Sequence, residues 1–377
     1  MADSEAREHA GSERGQARGG LILNLPIEIT IQIFSFYLPP YPESPPIIGP
    51  GSPTHLLDIC RQWRSIALAT PTLWRAISFG SDASEAEAAE VLSWLDRSAG
   101  ALLSIRLEFN RRQYWSLNGS ESSLLWKTFL AARERWEYIH FEVPASFSAS
   151  LSGVAPSLVR MNLIATWSDK VSNLMLDDSR RLCSLSLWNI HLTANSVAWS
   201  QLSSLTLISI EASKCLSVLP LATGLTQLKW DLEDFRFTNA PPVIRLPLLQ
   251  QLILHAARPG PENNSTASRA PHCLDFLILP SLRNFEISFN IFERAQPAIV
   301  VDCIRNFIAC SGCSLECLRF GQRKPAQTPG MVALADACGV AFPEVIIRAG
   351  IHNDSQSQGP PNIDCWMREE YWKAELE

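Results

Sequence analysis

The sequence predicts an α/β protein, with a small N-terminal module of three helices followed by an irregular, leucine-rich-repeat-like solenoid. Three observations lead there. Apolar residues recur at helical spacing between residues 25 and 74, and a Leu-x-x-Leu-x-Leu spacing recurs nine times between residues 102 and 320. The third is length: 377 residues suffice for two domains, or for one small module attached to a larger array. The expected divisions are a disordered leader over 1–20, a helical domain over 21–78 with a proline-rich loop at 39–53, a repeat domain over 79–350, and a tail over 351–377.

The helices are read in order. Residues 1–20 are polar and offer little to bury, so order is expected to begin at Leu21. Asn24 is placed to cap a first helix that holds Pro26 in its first turn, where a missing amide proton does no harm. Leu25, Ile29, Ile33 and Tyr37 then recur every four residues as one apolar stripe, and Pro39 and Pro40 end it. Seven prolines and two glycines make 39–53 a loop. A second helix is expected from about Ser52 or Thr54, with Leu56, Ile59, Cys60, Trp63 and Ala67 on one side. Thr70-Pro71 stops it and caps a short third helix carrying Leu73 and Trp74. Beyond the module, Ser84 and Glu87 form a capping-box pattern ahead of Val91, Leu92, Trp94 and Leu95, with Gly100 at the end. A further helix is expected over about Ser122 to Arg135.

The repeated units are Leu102/Ile105/Leu107, Trp136/Ile139/Phe141, Leu158/Met161/Leu163, Leu182/Leu185/Leu187, Leu202/Leu205/Leu207, Leu225/Leu228/Trp230, Leu249/Leu252/Leu254, Leu282/Phe285/Ile287 and Leu315/Leu318/Phe320. Their first positions lie 34, 22, 24, 20, 23, 24, 33 and 33 residues apart, and the middle intervals match the roughly 20–29 residues of leucine-rich repeats. The last two positions of each unit, two residues apart, put both side chains on one face of a short strand. One unit cannot bury that face alone, but stacked units make a continuous core. The rival reading is an ordinary α/β domain with short buried strands. Regular repeats carry Asn or Cys three positions past the last strand Leu; here Thr166, Ile190, Ile210, Glu233 and Ala257 stand at most of these places, while Asn290 fits. The array is expected to be irregular.

Composition narrows the function. At 46% hydrophobic and 19% charged the chain is too apolar for wholesale disorder. A net charge of −6 without a basic block argues against nucleic acid as a partner, because phosphate neutralisation needs Lys and Arg in surplus on one face. The leader lacks the pattern of a signal peptide, and Leu21 to Leu38 is broken by Asn24, Pro26, Glu28 and Gln32, so no membrane span is expected. Ten scattered cysteines then read as reduced thiols, which places the chain in the cytoplasm or nucleus.

Other chemistry is weighed and set aside. Cys303, Cys310, Cys313 and Cys317 are bunched, without the second spaced pair or the histidine of a structural zinc site, so no metal is expected. Asp231, Glu233 and Asp234 read as a solvated loop rather than as paired catalytic carboxylates. No phosphate loop, His-Glu-x-x-His run or nucleophile elbow occurs, and neither catalytic residues nor a cofactor are expected. Trp188 is a candidate for an exposed sheet face, and Arg258 to Pro271 for an inserted loop.

The segment Leu25-Pro26 through Ile33-Phe34, the proline-rich loop, and Leu56 through Cys60-Arg61-Gln62-Trp63-Arg64 to Thr70-Pro71-Thr72-Leu73-Trp74 closely resemble an F-box. The resemblance is to the form abundant in mushroom-forming fungi, where a proline-rich insert separates the first two helices. It extends through Trp94 to Ile105 and Ser123 to Pro144, and covers roughly residues 21–165. It implies docking on a Skp-type adaptor and, through it, on a cullin–RING ubiquitin ligase, while the rest of the chain holds an unknown protein substrate. Position by position, it implies an adaptor face of Leu25, Pro26, Ile29, Ile33, Ile59, Cys60 and Trp63, with Leu73 and Trp74 completing the small core. The reading without a partner puts all of these in the core. Against it, three short helices cannot bury every large apolar group on themselves. Two rivals to a ligase adaptor stay open: an interaction scaffold with no ligase role, and an enzyme with an unrecognised polar pocket.

Overall fold

The computed structural model describes residues 25–80, 82–109, 121–144, 147, 150–166, 174–190, 192–232, 242–256, 274–292, 296–322 and 328–351. Two compact units divide the chain, residues 1–140 and residues 141–377.

In the first unit, α1 spans Ile27–Tyr37. Asn24 lies outside the described residues. Pro26 is not in the first turn but at the cap position, with extended backbone, and its carbonyl accepts the Thr30 amide at 3.0 Å. The helix stops where expected: Leu38 is extended, as a residue before proline must be. The single second helix of the sequence reading is two helices, α2 over Pro53–Ile59 and α3 over Arg61–Leu68. Cys60 breaks them, at φ −160° and ψ 167°, and its Sγ accepts the Trp63 amide at 3.4 Å. Ser52 caps α2 by accepting the Thr54 amide. Thr70 does not cap the next short 3₁₀ turn, Pro71–Leu73; its hydroxyl donates back to the Ile66 carbonyl at 2.7 Å. Leu73 and Trp74 are buried, and the Trp74 indole N–H reaches the Ala67 carbonyl at 2.9 Å.

Strand β1 (Ala76–Phe79) follows at once, then α4 (Glu85–Arg97), β2 (Leu103–Glu108), α5 (Glu121–Ala131) and β3 (Trp136–Pro144). The capping box forms in full on α4: Ser84 Oγ accepts the Glu87 amide and the Glu87 carboxylate accepts the Ser84 amide. Beyond α4 the left-handed residue is Ala99, at φ 46°, and not Gly100.

In the second unit come β4 (Gly153–Val154), β5 (Arg160–Thr166), β6 (Leu176–Asp177), β7 (Ser184–Trp188), β8 (Ser204–Ile210), α6 (Ala212–Val218), β9 (Gln227–Leu232), β10 (Ile244–Arg245), β11 (Gln251–Ala256), β12 (Leu277–Ile278), β13 (Asn284–Ser288), α7 (Pro297–Ser311), β14 (Cys317–Gln322), α8 (Thr328–Ala341) and β15 (Ile346–Ile351). Helix α7 opens on Pro297 and closes on Gly312 at φ 67°, whose amide donates to the Ile308 carbonyl.

An eleven-stranded sheet organises these elements, in the order β1-β2-β3-β5-β7-β8-β9-β11-β13-β14-β15, and two-stranded sheets pair β4 with β6 and β10 with β12. The pairs β1–β2 and β5–β7, and each neighbouring pair from β7 to β15, run parallel. All nine motif copies coincide with strands, and from β5 to β14 their register is constant. Leu163, Leu187, Leu207, Trp230, Leu254, Ile287 and Phe320 stand side by side, as do Met161, Leu185, Leu205, Leu228, Leu252, Phe285 and Leu318. Every one of them is buried, each worth about 1.5–3 kcal/mol against exposure.

The architecture expected from sequence is corrected by this topology. The molecule is not a three-helix module followed by a solenoid; it is an α/β protein on one large, mostly parallel eleven-stranded sheet with eight α-helices among the described residues. The first strand, Ala76–Phe79, begins inside the segment 21–78 assigned to the helical module, so the sheet starts before that segment ends. Helices are not confined to the N-terminal segment either, since α7 and α8 are the longest. Motif spacing fixes which residues share a strand face. It contains nothing about the elements between strands. Among the described residues no helix is long and apolar enough to cross a membrane.

Candidate functional site

Helix α1 is where sequence and burial disagree most. Seven of its eleven residues are Ile, Phe or Tyr, yet the buried ones are Thr30 and Phe34. At about 100° per residue, Ile29, Ile33 and Phe36 fall within about 60° of one another, and Thr30 and Phe34 form a second arc about 110° away. The second arc is the inner one: Phe34 packs edge-on against Trp63, ring centroids 4.9 Å apart. The first arc faces out. Ile29 is 42% exposed, Ile33 39% and Phe36 88%. Ile59, which ends α2, is 49% exposed, and Leu68, which ends α3, is exposed too.

Of the seven residues expected on the adaptor face, Pro26, Ile29, Ile33 and Ile59 are exposed, and Leu25, Cys60 and Trp63 are half-buried. Two of the half-buried three have work inside the unit. Cys60 caps α3 with its thiol, and one side of Trp63 is taken by Phe34. The expected stripe also included Tyr37, but that phenol accepts the Gly51 amide at 2.6 Å and stacks on His55. The sequence reading missed Ile27, Phe36, Ile48 and Leu68, all exposed. For Phe36 the signal was present. It lies on the same arc as Ile29 and Ile33, although it is not four residues from either.

What this surface can do is bind apolar matter. Burying an exposed Ile or Phe is worth about 1.5–3 kcal/mol per side chain, and the arc carries three. Arg61 and Arg64 are exposed on α3, and Arg64 is held by its Nε–H donating to the Leu57 carbonyl at 2.7 Å. Nothing in the arc is nucleophilic or a metal ligand.

A second cluster lies on the sheet. Asp231 is a strand residue and not part of a solvated loop: it sits in β9, in register with His255 of β11. His255 Nε2 is 3.0 Å from Glu286 Oε1 on β13, and Arg319 Nε of β14 is 3.6 Å from Glu286 Oε2. A Cβ on Gly321 would lie 2.8 Å from Glu286 Oε1, so glycine leaves room for that carboxylate. Asp231, His255, Glu286 and Arg319 are each at most 3% exposed. Parallel strands in constant register bring these groups together, a juxtaposition that dispersed positions in the sequence do not advertise. Glu233, Asp234 and the Arg258–Pro271 loop lie outside the described residues.

The thiols are placed as follows. Cys310 is exposed, Cys303 half-buried, and Cys313 and Cys317 buried. No group of three or more His, Cys, Asp or Glu positioned to hold a metal occurs among the described residues. Burial pushes the Cys215 thiol up to about 12 and the Cys338 thiol to about 11, so both stay protonated at neutral pH. Trp188, at the end of β7, is partly exposed beside its register partners Ile164 and Ile208.

No protein-family model matches the chain. A comparison with curated proteins likewise finds no match.

Proposed function

We propose that this chain is the substrate-recognition adaptor of a Skp–cullin–F-box ubiquitin ligase. Helices α1 to α3 dock on a Skp-type adaptor, and the strand-rich remainder holds a target protein. The contribution is proximity: acceptor lysines are kept near a ubiquitin-loaded enzyme, and other subunits do the chemistry. The chain acts without catalytic residues or a cofactor of its own, in the cytoplasm or nucleus. One observation carries the reading. The outward arc of Ile29, Ile33 and Phe36, with Ile59 beside the Cys60 break, is apolar surface on the segment that resembles an F-box. Aromatic and aliphatic anchors of this kind dominate the energetics of interfaces.

The test is co-purification with a Skp-type adaptor from the same cell. Wild type is expected to form a stoichiometric complex. Changing Ile29, Ile33 and Phe36 together to Ser is expected to weaken it about hundredfold or more. Val340→Ser, at another exposed apolar position, is expected to leave it intact. Absence of binding by the wild type overturns the proposal. Binding without any effect on ubiquitination or abundance of a captured target leaves a scaffold and removes the ligase role.

A further inference from the structure

The proline-rich segment between α1 and α2 is fastened at both ends. At its start Tyr41 is enclosed. Its hydroxyl donates to Glu137 Oε2 of β3 at 2.7 Å, the Arg75 guanidinium lies 3.7 Å over its ring centre, and Tyr138 packs edge-on at 5.6 Å. One residue on, the Pro42 carbonyl accepts the Ser104 hydroxyl of β2 at 2.7 Å. At the far end the Ile47 carbonyl accepts the Ser52 hydroxyl at 2.8 Å, and Thr54 in turn accepts the Trp94 indole N–H of α4 at 3.1 Å. Between the ends, the Gly51 amide donates to the Tyr37 hydroxyl, which ties the segment back to α1. A stretch with seven prolines has few backbone amides to hold itself in a fold. Beside its few internal bonds, it grips the sheet through Tyr41 and Pro42 and α1 through Gly51. Thr54 at the start of α2 links its Ile47 carbonyl to α4.

We propose that residues 39–53 are a strap that fixes the pitch of α1 against β1, β2 and β3, with Tyr41 as the positioning residue. The purpose given to the strap rests on the docking reading above: an outward arc is useful to a proximity device only if it points in one direction. The strap itself does not depend on that reading. Tyr41 suits the part because its ring and its hydroxyl are held by different partners, so that two contacts fix both its place and its rotation. Burial, followed by the Glu137 carboxylate, holds its phenol above the ordinary range, which keeps the hydroxyl a donor.

The experiment compares wild type with Tyr41→Ala, Tyr41→Phe and Ser104→Ala, with no adaptor present. Amide exchange is followed peptide by peptide, and the distance between spin-labelled non-natural residues at exposed Ser35 and Glu134 is measured. Tyr41→Ala is expected to speed exchange in 30–37 by about tenfold and to broaden the distance distribution, with β2 and β3 amides unchanged. Tyr41→Phe keeps the ring and loses the hydrogen bond, so its effect is expected to be smaller but in the same place. Equal loss of protection across the whole unit would show that Tyr41 is an ordinary packing residue, and would overturn the proposal. So would unchanged exchange and distance at α1. If Tyr41→Ala fails to fold, Tyr41→Phe and Ser104→Ala each remove one hydroxyl, and they decide by the same readout. Failure of the wild type to bind an adaptor would remove the docking reading and leave this result standing.

Discussion

Helices α1 and α7 carry similar apolar loads and dispose of them in opposite ways. In α7 the buried apolar residues are Val300, Val301, Ile304 and Phe307, at the spacing of one helix face. In α1 the isoleucines stand at 27, 29, 31 and 33, an alternation that suits a strand. Wound into a helix, that alternation distributes apolar side chains over two sides. One side packs inward through Phe34, and the other is left exposed among the described residues. A helix with more apolar residues than one face can hide is therefore the place to look for a partner, whereas a helix with a single clean stripe is spoken for by the core.

The largest effect should come from exchanging equivalent side chains between these two settings. Phe307→Ala, which removes a buried ring 5.5 Å from Phe285, should cost about 3–5 kcal/mol, read as a lowered denaturant midpoint at unchanged slope. Phe36→Ala should stay within about 0.5 kcal/mol of wild type. Equal costs for the two would erase the contrast. Next comes the inner side of α1 itself. Phe34→Ala should cost about 3 kcal/mol in thermal or chemical unfolding, and tolerance of it would mean that α1 has no inward face.

Acid should single out the unit that contains α1. Burial, with a smaller push from the Arg106 charge, holds His140 down at about 4. Glu108 is 3.9 Å away and already engaged by Arg106 at 2.8 Å, so it does little to restore the charged form. The unfolded chain takes up this proton near pH 6.5 and the folded chain only near 4. Stability is thus whole above pH 6.5 and declines as pH falls toward 4, by up to about 3 kcal/mol. His140→Gln should flatten that decline, seen as unfolding midpoints measured between pH 4 and 7. The smallest effect lies at the helix ends. Gly312 is left-handed, and Gly312→Ala should cost about 1 kcal/mol, whereas Leu38→Gly after α1 should cost less, because Pro39 sets that stop.

Several of these features were legible beforehand for a definite reason. The paired apolar positions of the main-sheet strands from β5 to β14, such as Leu205 and Leu207, obey the period of a strand and recur in a fixed motif, and Ser84 with Glu87 satisfies a reciprocal local geometry. Strand β1 escaped because Trp74, Ile77 and Phe79 repeat the motif with a Trp already assigned to a helix end. Strand β15 escaped because Ile347 and Ala349 follow Glu344 where an apolar residue was sought. The solenoid expectation failed on what periodicity leaves out: how many strands join one sheet and which helices lie between them. In the candidate surface, Pro26, Ile29, Ile33 and Ile59 were legible from the resemblance and from helical spacing. Phe36 was legible too, on the same arc, but an i+4 rule samples an arc coarsely and passes over it. Asp231 was misread because a carboxylate next to two more acids looks wet, and nothing local announces His255, 24 residues on, as its strand neighbour.

The constant register across strands of unequal spacing has a consequence for how this chain tolerates change in length. From Leu182 to Leu202 the chain spends 20 residues, and from Leu249 to Leu282 it spends 33, yet Leu187 meets Leu207 and Leu254 meets Ile287 at the same depth. The excess is absorbed wholly in the intervals, where doubling a loop costs only about 0.6 kcal/mol in closure entropy. One residue added inside a strand would instead turn each following side chain to the wrong face. Segments can therefore be spliced between strands, as handles or as new contact surfaces, while the strands keep count.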